Sequence, residues 1–337
     1  MRKLATIQRV SEIQPIENAD TIERIRIKDW WCVSKKDQFK IGDFCVYFEI
    51  DSLLPSKLPV FQFLAKGTKE KTMNLDGKEY KGFRLKTIKL RGVLSQGLIL
   101  PIKSEGWNFE DHEVDDEVSE FIGVVKYEPP IPAEMSGKMK GFFPGFIPKT
   151  DEERIQNIGE ILSGFYVTEK LDGSSVTFFK KDGVFGVCTR NLELLESEGN
   201  TQWRLAREMG LPEKLPDNFA IQGELIGEGV QGNPLKIKGQ KIYFYNAYNI
   251  LSAQYLDFGN FKNLMVAIGV ETVPIIDENF AIPNNVAGML EYAEGKSKIC
   301  PDSEREGVVV RPKTEMMYKG QRFSFKAISN KYLLDEK

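Results

Sequence analysis

The chain has 337 residues, with 46 Lys and Arg against 49 Asp and Glu, a formal net charge of −3, 41% hydrophobic residues and 28% charged ones. This composition excludes a wholly disordered or fibrous chain. No apolar run approaches the ~18 residues needed to span a bilayer, and no apolar signal core follows Met1-Arg2-Lys3-Leu4. A single histidine, His112, lies between Asp111 and Glu113, which excludes chemistry needing a histidine base or several histidine ligands and reads as a solvated position. Cys32, Cys45, Cys188 and Cys300 are far apart and include no CxxC, against a zinc knuckle or a disulfide framework. A soluble intracellular protein in a reducing compartment is expected, with no membrane contact. At roughly 100–200 residues per domain, two domains are expected. The near-neutral total can still hide a local basic face.

In chain order, residues 1–126 read as β-rich. Trp30-Trp31-Cys32-Val33 and Phe44 to Ile50 are aromatic and β-branched, with a turn at Lys40-Ile41-Gly42-Asp43. Polar and apolar residues partly alternate from Gly82 to Gly92, and Leu98-Ile99-Leu100 ends at Pro101. Short strands at this spacing predict a small OB-like β-barrel. Residues 127–149 are interleaved with prolines and glycines and read as a linker, whose Phe142, Phe143 and Phe146 would pack along one domain. From Thr150 to the C-terminus an α+β unit of antiparallel character is expected. Thr150-Asp151-Glu152-Glu153 reads as a helix start, Lys181-Asp182-Gly183 as a hairpin turn, and Thr201 to Met209 as a helix stopped by Gly210. Strands are expected at Phe165 to Thr168, Ser175 to Phe179, Val184 to Cys188, Ala220-Ile221, Ile242 to Tyr248, Gly307 to Val310 and Phe323 to Phe325.

Two generic motifs fail. Gly295-Lys296-Ser297 imitates the end of a phosphate loop, but Leu290 stands where GxxxxGK[ST] requires glycine. Gly227-Glu228-Gly229 lacks the context and third glycine of a dinucleotide fingerprint. Lys170 is different, because it follows an apolar strand and precedes the turn Leu171-Asp172-Gly173. An amine emerging from such a strand is open to desolvation, which favours its neutral, nucleophilic form. A strand-end lysine before Asp-Gly is common, so the pattern gains weight only from its companions. These are Gly223-Glu224 on a short strand, the aromatic run Ile242 to Ile250, Glu306-Gly307-Val308-Val309 entering an apolar strand, and Lys326 near the end of another.

In this order and spacing the series resembles the signature of the covalent nucleotidyltransferases, the polynucleotide ligases and capping enzymes. Lys170-Leu171-Asp172-Gly173 is similar to motif I, Arg190-Asn191 to motif Ia, Gly223-Glu224 to motif III, Tyr243 to Ile250 to motif IIIa, Glu306 to Val309 to motif IV and Lys326 to motif V. The lead-in Lys149 to Asn157, and Ser175 where most DNA ligases carry arginine, resemble RNA ligases. So do the additional N-terminal domain, with Leu90 to Leu98 inside it, and the short stretch after Lys326, which leaves no room for a following OB domain. This arrangement is similar to the RNA ligase 5 family. The chain departs from many relatives at Ser324, where a second lysine is common, and at Asn249, which replaces a frequent acid.

The resemblance implies an ATP-dependent RNA ligase that joins a 3′-hydroxyl to a 5′-phosphate, acting as a monomer on a nicked duplex. Lys170 would be the nucleophile, leaving a lysyl-AMP, and would need a depressed pKa. Glu169, Asp172, Gly173, Arg190, Glu224, Tyr245 (with Phe244 as the alternative stacking ring), Glu306, Val310 and Lys326 would bind the nucleotide. Asp172, Glu224 and Glu306 would hold Mg²⁺ or Mn²⁺ directly or through water. Arg84, Lys86, Lys89 and Arg91 are the RNA contacts expected in the N-terminal domain. A GTP-using capping enzyme, a DNA ligase and a non-catalytic RNA-binding protein are the competing readings.

Overall fold

The computed structural model describes residues 3–335 apart from 76, 131–134, 136, 151, 158–163, 284, 319 and 320. The chain divides into two compact units, Met1–Ile131 and Pro132–Lys337.

The first unit is built from short antiparallel strands. Its five-stranded sheet runs in the order Leu98–Pro101, Phe44–Phe48, Ala5–Pro15, Ile22–Ile27, Trp30–Lys35. Ala5–Pro15 serves both halves because a bulge between Val10 and Glu12 bends it. In Ile22–Ile27 the isoleucines at 25 and 27 face inward while Arg24 and Arg26 face out, the period of two that a one-sided strand requires. Of the paired tryptophans, Trp30 is core and Trp31 is covered by the Arg24 guanidinium, 4.5 Å from its ring. A second sheet contains Val125–Lys126, Ser52–Pro55, Lys78–Arg84 and Lys71–Leu75. The run from Gly82 to Gly92 is broken, with Lys78–Arg84 in this sheet and Ile88–Leu90 paired to Val93–Ser95 as a separate hairpin. Arg91, at the hairpin turn, has φ of 48°. His112 is half-buried, edge-on to Phe109 at 5.0 Å, rather than solvated.

The second unit holds two sheets. The seven-stranded sheet runs Met139–Phe142, Leu192–Leu194, Val184–Thr189, Ser174–Lys181, Phe219–Gly227, Gln240–Asn249, Gln254–Tyr255. The five-stranded sheet runs Glu153–Arg154, Phe325–Ile328, Gly307–Pro312, Phe165–Lys170, Ile275–Phe280. The hairpin at Asp182-Gly183 forms as expected, with φ of 52° and 79° at the two central residues, the primed turn that matches strand twist. The helix Thr201–Glu208 also forms, capped by the Asn200 side chain and burying Trp203, Leu205 and Ala206. One passage of the chain between the two sheets runs through Leu171 to Gly173, directly after Lys170.

Two expectations need correction. Thr150 to Glu153 does not begin a helix. Asp151 lies outside the described residues, and Glu153–Arg154 is instead a strand pairing in parallel with Phe325 and Lys326. The segment 127–149 carries structure at both ends. The Tyr127 N–H donates to Asp51 O, and Met139–Phe142 pairs with Leu192–Leu194. Its Phe143 and Ile147 pack with Phe179, Cys188 and Tyr248 on one face of the seven-stranded sheet. Among the described residues no helix is long and apolar enough to cross a membrane.

Candidate active site

Lys170 ends the strand Phe165–Lys170, whose register sets it opposite Gly307. On its other side, a Cβ at Gly307 would lie 2.2 Å from the Ala327 carbonyl oxygen, so only glycine lets Gly307–Pro312 approach Phe325–Ile328 this closely. Glu306 is one residue earlier than the register partner of Lys170, and Lys170 Nζ donates to Glu306 Oε2 at 2.6 Å. Gly173 is constrained in the same way, since a Cβ there would meet the Leu225 carbonyl oxygen at 2.4 Å. Glu224 follows from the sheet register, paired with Ser175 on one side and Tyr243 on the other.

These groups surround a cavity of about 290 Å³ lined by Thr150, Glu152, Thr168 to Ser175, Arg190, Glu224, Gln231, Tyr245, Val273, Val309, Arg311 and Lys326. It lies wholly within the second unit. Glu169 is 2% exposed; its Oε2 accepts from the Lys298 N–H at 2.7 Å, while Oε1 is buried with no partner. Tyr245 exchanges hydrogen bonds with Thr150 Oγ1 at 3.2 Å and Ser175 Oγ at 3.4 Å. The Arg311 guanidinium lies 5.4 Å from the Tyr245 ring and donates to Glu152 Oε1 at 2.7 Å and Thr168 Oγ1 at 3.3 Å. Lys326 pairs in register with Val309 and faces the same cavity, and Arg190 is exposed at its rim. The loop that donates to Glu169 continues through Ser297, whose Oγ accepts from the Cys300 N–H at 3.2 Å.

The electrostatics differ from a simple depressed lysine. Burial pushes the Lys170 amine down, but the charges of Glu306, Glu224 and Asp172 outweigh it and hold the pKa above the ordinary value. The resting amine is therefore an ammonium paired with a carboxylate. Burial pushes the Glu306 carboxyl up against the pull of Lys170. Burial also raises Glu224, to about 7, with Glu306 and Asp172 adding to the rise and Lys170 opposing it. The cavity lining sets Glu152, Glu169, Asp172 and Glu224 against Lys170, Arg190, Arg311 and Lys326, with Glu306 alongside Lys170. Among the described residues no three His, Cys, Asp or Glu side chains converge closely enough to cage a metal directly.

Of the two rings expected at the nucleotide, the preferred Tyr245 lines the cavity and the alternative Phe244 does not, and the expected Val310 is displaced by one residue. Phe244 is fully buried against Phe178 on the opposite face of its strand, so the alternation leaves Tyr245 as the ring at the cavity. Val310 is likewise core, packed with Val308 and Phe325, while Val309 and Arg311 face the cavity. Val273, Gln231 and Arg311 were not singled out from sequence, and Val309 only as the end of the segment Glu306 to Val309. An arginine inside an otherwise apolar strand was the available signal for Arg311. In the first unit, Arg84 is engaged locally, bonded to Asp51 Oδ1 at 2.6 Å and stacked 5.0 Å from the Tyr127 ring. Lys86, Lys89 and Arg91 are exposed around the hairpin.

Comparison with known proteins follows the same division. A profile described as RNA ligase matches residues 163–328, and one described as an OB-fold domain matches residues 4–102. Among solved structures, Naegleria gruberi RNA ligase with PPi is 42% identical, with a TM-score of 0.80 and coverage of 99% of this chain and 98% of that one. A point variant of that ligase with ATP and Mn is 40% identical, with a TM-score of 0.81 and 99% of each chain covered. Another variant, with AMP and Mn, is 40% identical, also with a TM-score of 0.81 and 99% coverage of each chain. No curated protein sequence matches the chain.

Proposed function

The chain belongs to the RNA ligase family, and from that premise we propose that it seals RNA 3′-hydroxyl and 5′-phosphate ends with ATP through a covalent AMP on Lys170. The observation that carries this reading is the Lys170–Glu306 contact of 2.6 Å at a cavity that also holds Glu169, Tyr245, Arg190 and Lys326.

Adenine fits the part of the cavity bounded by Tyr245 on one side and Val309 on the other. The unpartnered Glu169 Oε1 is a ready acceptor for the exocyclic amine of adenine, a group that guanine lacks at that position. Arg190 and Lys326 supply positive charge for the phosphates. Lys170 Nζ then attacks the α-phosphorus, forming the P–N bond as the bond to pyrophosphate breaks. The ammonium must first lose a proton, and Glu306 Oε2 is the adjacent acceptor. AMP passes next to the 5′-phosphate of RNA, and the 3′-hydroxyl displaces it to form the phosphodiester.

A divalent cation fits this site as a hydrated ion held through water by Asp172, Glu224 and Glu306. Burial penalises the charged forms of Glu224 and Glu306, a cost that a cation would offset, and Mg²⁺ keeps several waters when few carboxylates bind it. When bound, it would offset the carboxylate charge that keeps Lys170 protonated. The relatives solved with ATP and Mn or with AMP and Mn support this reading.

Incubation with α-labelled ATP and Mn²⁺ or Mg²⁺ should leave label covalently on the native protein and none on Lys170→Ala. GTP in place of ATP should label weakly. Label retained by Lys170→Ala, or equal labelling by GTP, would overturn the assignment.

A further inference from the structure

The helix Asn330–Asp335 follows the strand Phe325–Ile328 that carries Lys326. The Ser329 N–H donates to the Glu306 carbonyl at 2.9 Å, and the Tyr332 N–H to Ser329 Oγ at 3.2 Å. Lys331 Nζ pairs with Glu294 Oε2 at 2.8 Å. So tethered, the helix delivers the Tyr332 hydroxyl to Asp172, where it donates to Oδ2 at 2.5 Å. The partners are 160 residues apart in sequence, and the tyrosine lies outside the segments matched to motifs I to V above.

The chemistry of the donor matters. A carboxylate rotates broadly about its last torsion, so a turn residue such as Asp172 needs a partner to fix which oxygen points where. Lysine or arginine would fix it and also neutralise it. A phenol is a neutral donor; it occupies one oxygen, sets the plane of the group and leaves the negative charge in place. We propose that Tyr332 is a positioning residue, which orients the Asp172 carboxylate for the reaction centre while leaving its charge available to a cation. The inference rests on the reading of Asp172 as part of the cation site.

The test uses the full chain with Mn²⁺ as the probe. Mn²⁺ is titrated alone into nucleotide-free protein while thermal unfolding is followed, and adenylylation with labelled ATP is titrated in parallel. In Tyr332→Phe the Mn²⁺ needed for half of each response should rise about tenfold, as loss of an outer hydrogen bond to a metal-binding group commonly causes. The ATP KM at saturating Mn²⁺ should stay at the native value. Lys331→Ala loosens the helix but keeps the hydroxyl, and should need the native amount of Mn²⁺. It also serves as the reference if Tyr332→Phe melts lower without metal. If Lys331→Ala shows the same rise, docking of the helix rather than the hydroxyl is responsible and the inference falls. A native Mn²⁺ requirement in Tyr332→Phe, with the response lost in Asp172→Ala, overturns the positioning role and leaves the site reading intact. A native response in Asp172→Ala overturns both.

Discussion

Burial pushes the Glu169 carboxyl up although Ser297 and Lys298 donate to it, and Oε1 still has no donor. A buried acceptor left unmade costs about 1–3 kcal/mol, so a ligand that supplies a donor gains by that amount. Glu169→Ala should therefore raise the ATP KM for adenylylation by roughly 10–100-fold and narrow the preference over GTP. Paired ATP and GTP titrations check this, and an unchanged preference would move base recognition elsewhere. Glu224 makes a separate prediction about stability. Its carboxyl ionises near 7 in the folded protein against 4.5 when unfolded. Below about 4.5 both states are protonated and the group is neutral to folding; as pH rises towards 7 the unfolded state ionises first, and stability falls. Above 7 the whole cost is present. Glu224→Gln should then melt roughly 5 °C above the native protein at pH 8, with the gap closing towards pH 4.5, while losing adenylylation. Scanning calorimetry across pH reads it, and a gap independent of pH would exclude this cause. The chemistry-bearing residue types of the pocket were legible in the sequence, because Lys170, Asp172 and Glu306 each mark a strand end or a turn and Glu224 follows Gly223 within a strand. The faces of the flanking strands were not. A bulge between Gln222 and Gly223 resets the pairing with Gln240–Asn249, and a shift of one residue exchanges Phe244 for Tyr245 at the cavity.

Among the elements, strand-rich runs, tight turns and a helix were readable, while the identity of a short strand fixed only by a distant partner was not. The hairpin at Asp182-Gly183 and the helix Thr201–Glu208 depend on neighbours in sequence, so turn chemistry and the stop at Gly210 sufficed to find them. Glu153–Arg154 depends on a strand more than 170 residues away, and its acids imitate the first turn of a helix. The close pairing of Gly307–Pro312 with Phe325–Ile328 carries a prediction of its own. Gly307→Ala places a Cβ 2.2 Å from the Ala327 carbonyl and must separate the strands that hold Glu306 and Lys326. It should destabilise the protein by about 1–3 kcal/mol and slow adenylylation at least tenfold, even though Gly307 has no reactive group. Denaturant unfolding and the labelling rate test the two halves of that statement. Native values for both would mean that the strands yield without moving the carboxylate.

For the molecule as a whole, an OB-fold unit precedes a catalytic one, and the basic stretch of the first belongs to its own hairpin. Lys86, Lys89 and Arg91 are exposed around that hairpin, and we expect RNA phosphates to be met there. The combined change Lys86→Ala, Lys89→Ala and Arg91→Asn, the last chosen because asparagine tolerates positive φ, should weaken RNA binding. It should also reduce the slope of log affinity against log salt by about 2, with self-adenylylation near native. An unchanged slope would place the phosphates elsewhere. The cysteines offer a way to watch each half separately. Cys32 and Cys45 lie inside the first unit and Cys188 inside the second, all buried and with thiols pushed above the ordinary range by burial, Cys45 to about 12. Cys300, beside the loop that holds Glu169, is only partly covered. The native chain thus carries built-in clocks. A timed pulse of alkylating reagent, read by peptide mass, marks Cys300 first and then records how often each unit opens, with no residue altered.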